Sequence, residues 1–162
     1  MDVGKIFSGI VGSSEIGAEK KTGFDNPDDF LTQPDELADF IARTEADCIA
    51  VAVGTAHGLY VHEPKLHFDR LAALNDISPV PMVMHGGSGT PDDQIRKAVA
   101  LGICKLNIFS EMLTAFNGAL KEELAHAQHL AIWPHQLYQK PLAALREVVR
   151  RKIALVGSAG KA

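Results

Sequence analysis

The feature that most constrains the fold of this chain is a set of strand-length apolar runs that alternate with helical patterns. The runs are "GIVGSSEIG" (9–17), "DCIAVAVG" (47–54), "VPMVMH" (80–85) and "ICKLNIF" (103–109). The run at 47–54 has no polar alternation, which is typical of a parallel strand buried on both faces. Strands that alternate with helices indicate right-handed βαβ units and a parallel sheet.

Helix signals fall between and after these runs. Helices are predicted over 32–46, 66–76, 90–102, a long segment from about 110, and 141–155. In the third of these, Thr90 is predicted to cap the amino end and Pro91 to occupy the first helical position.

Two architectures fit this order of elements. One is a small open doubly wound sheet, and the other is part of a (β/α)8 barrel. A complete barrel takes about 250 residues, and the 162 residues of this chain can supply only part of one. Because no linker-like segment interrupts the pattern, a single region over 1–162 is expected.

Composition and charge exclude several classes of partner. The net charge is −4 and there is no dense basic run, so nucleic acid is not an expected partner. The apolar runs are too short to cross a membrane, and the first residues lack the order of a signal peptide. Cys48 and Cys104 lie in predicted buried strands, as expected in a reducing compartment. We therefore expect a cytoplasmic protein.

The residues whose side chains could take part in binding or catalysis lie where the predicted strands end. These residues are Glu15, His57, His85, Asn107 and Ser110. In both architectures the carboxyl ends of parallel strands meet at one edge of the sheet, and function gathers there. Residues far apart in sequence are therefore expected to converge.

His57 and His85 each follow an apolar run and each precede a glycine. Neutral imidazole is a common zinc ligand, and a catalytic zinc ion typically has three protein ligands and an open position. The spacing leaves two interpretations open, a metal ligand or a polar residue at a strand end. The other histidines are expected on the solvated surface; they are His62, His67, His126, His129 and His135.

The segment "GGSG" (86–89) can present backbone N–H groups to an anion at the start of a helix. The alternative is that its glycines only make a tight turn. The Asn107 amide can orient a substrate hydroxyl or an oxyanion. Glu15 can be a base, an outer partner of a ligand or a surface acid, and its spacing favours the last.

Three segments together resemble one family. They are "AVAVGTAHGLYVHEPKLHFDRLAAL", "PMVMHGGSGTPDDQIRKAVALGICKLNI" and "ALREVVRRKIALVGSAGKA". They resemble class II, zinc-dependent ketose-bisphosphate aldolases, which include fructose-bisphosphate and tagatose-bisphosphate aldolases. The resemblance implies an α/β fold of the (β/α)8 TIM-barrel type, with about four βα units, strands 5 to 8, present in this chain.

The resemblance also implies roles for particular residues. His57 and His85 match two of the family's three zinc-binding histidines, and Glu15 matches a glutamate near the metal. Six residues match or adjoin positions that hold the dihydroxyacetone phosphate part of the substrate: Gly58, Gly86, Gly87, Ser88, Asn107 and Ser110. Family members also bind a monovalent cation near that phosphate. The implied reaction is reversible retro-aldol cleavage of a ketose 1,6-bisphosphate, with zinc as Lewis acid.

The chain departs from the family pattern in two respects. It begins where the fifth strand of the family begins, so the third zinc histidine and the acid/base aspartate have no counterpart here. The loop after Glu15 also differs, and neither Glu19 nor Asp25 aligns with the acid that moves a substrate proton. The catalytic acid/base is therefore left unassigned.

A half-barrel has exposed strand edges and an uncovered sheet face, which buried-type strands do not tolerate in water. We therefore expect a fragment of a longer chain, a complementary half-barrel partner, or self-association. Function divides accordingly. The first expectation is an aldolase half that acts on a sugar phosphate; the alternative is a non-catalytic phosphate-binding or interaction half-domain derived from an aldolase.

Overall fold

The computed structural model describes residues 2–3, 7–8, 31–57 and 63–161, with the backbone alone at 2–3, 7–8 and 56–57. The chain divides into two compact units, Met1–Ile108 and Phe109–Ala162.

The first unit contains a parallel sheet made of short strands. These are β1 (Asp2–Val3), β3 (Ile49–Val51), β5 (Met82–Met84) and β6 (Ile103–Leu106), and they lie in the order β1-β3-β5-β6. Each neighbouring pair is parallel. Every residue of β3 and β5 is buried, as expected for central parallel strands. The predicted parallel α/β organisation is thus confirmed.

A second parallel pair joins β2 (Phe7–Ser8) to β4 (Ala56–His57). Within the run predicted as one strand over 47–54, only Ile49–Val51 is strand, and β4 is a separate strand that begins after the run. The strand predicted over 9–17 lies outside the described residues.

Three helices flank the strands of the first unit: α1 (Pro34–Thr44), α2 (Phe68–Ile77) and α3 (Asp92–Ala100). They confirm the three predicted helices to within a few residues at each end. Leu37, Leu71, Leu74 and Ile95 are fully buried with the strand residues. Each such side chain contributes about 1.5–3 kcal/mol of hydrophobic stabilisation, so these helices are held mainly by their inner faces.

The segment that leads into α1 is hydrogen-bonded to the residue that follows β3. Thr32 donates its N–H to the carbonyl of Ala52 at 2.9 Å, and its hydroxyl accepts the Ala52 N–H at 2.8 Å. Arg70 of α2 donates to the Thr32 carbonyl at 2.9 Å. Thr32 is fully buried, so these bonds extend the ordered backbone past β3, toward the turn that leads to His57.

Two local predictions are wrong. Pro91, not Thr90, is the residue before α3, and the Thr90 hydroxyl donates to the Gly86 carbonyl at 3.0 Å, inside the preceding turn. Cys48 and Cys104 are both exposed. Cys48 precedes β3, and Cys104 is the extra residue at a break in the β5–β6 register. Because neither cysteine is buried, cysteine burial does not support the expectation of a reducing compartment.

The second unit is helical. It consists of α4 (Ser110–His126), α5 (Pro134–Leu137) and α6 (Gln139–Leu155), and α4 packs against α6. The predicted long helix and the predicted last helix are confirmed. The rings of Phe116 and Tyr138 lie 5.8 Å apart, and Lys140 pairs with Glu123 at 2.6 Å.

Apolar side chains are also exposed in this second unit. Between α4 and α5, Leu130 is 80% exposed and Trp133 is 70% exposed. Within the described part of the chain, every helix is too short or too polar to cross a membrane.

Candidate functional site

The candidate site is built around the turn that follows β5. His85 comes directly after this buried strand and is itself half-buried. Gly86 and Gly89 have φ values of 69° and 79°, which glycine adopts without steric cost. Between them, Gly87 and Ser88 are buried. The glycines therefore allow the chain to turn sharply from β5 into α3 immediately beside His85.

Gly87 is required by a close backbone approach. A Cβ atom at this position would lie 2.6 Å from Cδ1 of Leu106 and 2.9 Å from the carbonyl oxygen of Asn107. The Gly87 N–H donates to that same Asn107 carbonyl at 3.0 Å. This N–H is therefore engaged inside the protein and does not serve the anion-binding role expected for "GGSG".

Asn107 joins the ends of β5 and β6. Its N–H donates to the Met84 carbonyl at 2.9 Å, which continues the parallel ladder one residue beyond β6. Its side-chain oxygen Oδ1 accepts a hydrogen bond from Nζ of Lys105 at 2.6 Å. Its Nδ2 lies 3.2 Å from Nε2 and 3.4 Å from Nδ1 of the His85 ring.

These contacts fix the direction of the Asn107 amide. An ammonium group only donates hydrogen bonds, so Lys105 must face Oδ1 of Asn107. The amide nitrogen then faces His85, whose accepting ring nitrogen carries a lone pair. That lone pair is taken by the Asn107 N–H, and the other nitrogen of a neutral imidazole carries the proton, so His85 can bind a metal ion only when this contact is released.

Lys105 was missed in the sequence analysis. A signal was present, because side chains two residues apart in an extended strand lie on the same face. "KLN" therefore places Lys105 and Asn107 together at the end of β6.

The remaining predicted site residues divide by location. The backbone of His57 ends β4, where it pairs with Ser8 of β2. Ser110 begins α4 in the second unit. Glu15 and Gly58 lie outside the described residues, as do Glu19, Asp25 and His62. The other four histidines predicted at the surface, His67, His126, His129 and His135, are exposed.

The candidate metal ligands are of a type that zinc prefers, but they are too few for a complete zinc site. His57 ends β4 and His85 directly follows β5, and imidazole nitrogen is a usual zinc ligand. Among the residues that the structure describes, no group of three or more His, Cys, Asp or Glu side chains is placed to hold a metal ion. A complete zinc centre therefore needs a ligand from outside this set.

Comparison with known proteins gives the family. Residues 8–161 match the family model of class II fructose-bisphosphate aldolase. The chain therefore belongs to the class II fructose-bisphosphate aldolase family, as the sequence motifs predicted.

Solved structures agree with this assignment. The YdjI aldolase from Escherichia coli K12 is 39% identical, with a TM-score of 0.72, over 82% of this chain and 48% of that chain. A fructose-bisphosphate aldolase from Campylobacter jejuni is 24% identical, with a TM-score of 0.59, over 86% of this chain and 49% of that chain. The second likeness shows the fold alone. The chain spans about half the length of each.

The close approach at Gly87 gives a stability prediction. Gly87→Ala is expected to lower the free energy of unfolding by about 1–3 kcal/mol, because the new methyl group overpacks against Leu106 and the Asn107 carbonyl. Urea unfolding measures the change.

Gly118→Ala is the matched control. Gly118 lies inside α4, and a Cβ there would meet nothing within 4 Å. The control is expected to raise the free energy of unfolding by about 0.5–1 kcal/mol through helix propensity. Equal effects of the two substitutions would contradict the packing described at Gly87.

Proposed function

We propose that residues 1–162 form one region of a (β/α)8 barrel, the half with strands 5 to 8, and that this half carries the metal and phosphate side of an aldolase site. The reaction is reversible cleavage of a ketose 1,6-bisphosphate to dihydroxyacetone phosphate and an aldehyde. Family membership supports the aldolase lineage. The short parallel sheet, with polar residues following β5 and β6, supports the barrel assignment.

The observation that carries this proposal is the cluster of His85, Asn107 and the 86–89 turn. It brings together an imidazole, an oriented amide and a glycine-rich turn at the carboxyl ends of neighbouring parallel strands. Ligand sites of α/β proteins lie at this edge. Such a combination suits a phosphorylated sugar whose oxygen atoms need both a metal and hydrogen-bond donors.

His57 and His85 are the proposed zinc ligands of this chain, with a third ligand from outside the described residues. A bound zinc ion supplies a Lewis acid at the ketose oxygens. The contribution of the chain is to place His85 at the end of β5, beside Asn107, which the β5–β6 pairing holds in place; the Asn107 N–H would release the His85 lone pair when the metal binds.

The proposed phosphate side in the first unit consists of Gly58, Gly86, Ser88 and Asn107, with Gly87 shaping the turn and a monovalent cation beside the phosphate. Ser110, in the second unit, stays a prediction from the family resemblance. Glycine backbones let an anion approach closely, and the positive amino end of α3 favours negative charge. Binding energy from the phosphate then orients the reacting carbon, which lowers the entropic part of the barrier.

Zinc uptake tests the metal assignment. Calorimetric titration of the metal-free protein with zinc is expected to show a binding site, and His85→Ala is expected to lower its affinity for zinc. The loss of zinc affinity should be larger than the loss of about 10–100-fold that is typical when a residue hydrogen-bonded to a metal ligand is removed. His129→Ala is the control, since His129 is exposed in the second unit and should leave the affinity unchanged.

The same proteins test the reaction. Cleavage of fructose and tagatose bisphosphates is assayed with and without EDTA, using any complementary half with which the chain is found. Activity is expected to disappear with EDTA and with His85→Ala. Cleavage that survives both treatments would overturn the zinc mechanism, and phosphate binding without cleavage in every form would favour a non-catalytic half-domain.

We also propose that the chain self-associates or pairs with a complementary half-barrel. Among the described strands, β6 pairs with β5 alone, so its other edge has no strand partner in the described part of the chain. Leu130 and Trp133 add exposed apolar surface. Sheet edges and apolar patches of this kind favour association.

Sedimentation velocity of the purified chain is expected to show a dimer or larger species that dissociates on dilution. A compact monomer that is stable at all concentrations tested would rule out self-association. If, in addition, no partner is recovered with the chain from the source cell, pairing with a complementary half-barrel is ruled out as well.

A further inference from the structure

Gln94 makes an unusual pair of contacts from the first turn of α3. Its Oε1 accepts the Leu66 N–H at 2.9 Å, and its Nε2 donates to the Pro64 carbonyl at 2.9 Å. Both ends of one side-chain amide therefore bind the backbone of segment 63–67. A carboxylate lacks the donor for this pairing, and an apolar side chain of the same length lacks both groups.

Segment 63–67 in turn lies against the turn that precedes His57. The N–H of His67 donates to the Val53 carbonyl at 2.9 Å. A Cβ at Gly54 would lie 2.6 Å from the Lys65 carbonyl oxygen, so only glycine permits this approach. Gly54 also has a φ of 103°. The path from segment 63–67 to β4 is therefore short and closely packed.

The other end of the linkage is the turn that carries His85. Gln94 is the third residue of α3, which begins directly after that turn. The Thr90 hydroxyl donates to the Gly86 carbonyl at 3.0 Å and so ties the start of the helix to the turn. A single side chain thus joins the backbone around β4 to the backbone around His85.

We propose that Gln94 is a positioning residue that holds the His57 turn and the His85 turn in one fixed arrangement. Both of its hydrogen bonds go to segment 63–67, through which it acts. Its effect on metal binding rests on the proposed function, whereas its effect on the backbone does not.

The first test is amide hydrogen exchange in Gln94→Met, which keeps the length of the side chain and removes both hydrogen bonds. Arg96→Met is the control, because Arg96 is exposed on the same helix. Exchange of the Leu66 amide is expected to be about 3–10-fold faster in Gln94→Met, and unchanged in the control. Gln94→Asn, which keeps the amide but is too short to reach, should behave like Gln94→Met and serves if the Met variant does not fold.

The second test is zinc affinity, which a purely structural side chain would not alter. Gln94→Met and Gln94→Asn are expected to bind zinc about 10–100-fold more weakly than wild type, with Arg96→Met unchanged. Wild-type exchange at Leu66 in the Gln94 variants would overturn the proposal, and so would faster exchange with wild-type zinc affinity. If wild type itself takes up no zinc, the zinc part of the proposed function fails, and exchange of the His67 amide, which bonds the Val53 carbonyl and not Gln94, decides the role of Gln94: faster exchange in the Gln94 variants supports it and wild-type exchange overturns it.

Discussion

The backbone of Asn107 is the constraint on which the rest of the site depends. Its N–H binds the Met84 carbonyl and its carbonyl binds the Gly87 N–H, so one residue holds both the end of β5 and the turn beyond it. The approach is close enough that position 87 has no room for a Cβ. Once this pairing is made, the Asn107 amide lies beside the His85 ring. The position of the Asn107 amide beside the imidazole thus follows from strand pairing.

Much of the fold could be predicted because periodicity reports burial. Uninterrupted apolar runs gave β3 and β5, and the spacing of apolar residues gave the helices. The limits of the elements were harder, since they depend on tertiary contacts. The strand expected over 47–54 ends at Val51, and the Thr90 hydroxyl closes a turn instead of capping a helix. The exposure of Cys104 depends on a register break that no local pattern reveals.

The candidate site shows the same division. His85 and Asn107 could be predicted, because residues at the carboxyl ends of parallel strands converge whatever their separation in sequence. The contacts of Gln94 could not, since its partners lie 28 and 30 residues earlier in the chain. Such long-range contacts to backbone atoms leave no pattern in either partner segment.

Zinc X-ray absorption spectroscopy on the zinc-loaded protein tests the central claim most directly. The account predicts imidazole scattering with Zn–N distances of about 2.0–2.1 Å, and a loss of part of that scattering in both His57→Ala and His85→Ala. Imidazole scattering that is identical in wild type and in both variants would contradict it, because the metal would then be held by other histidines.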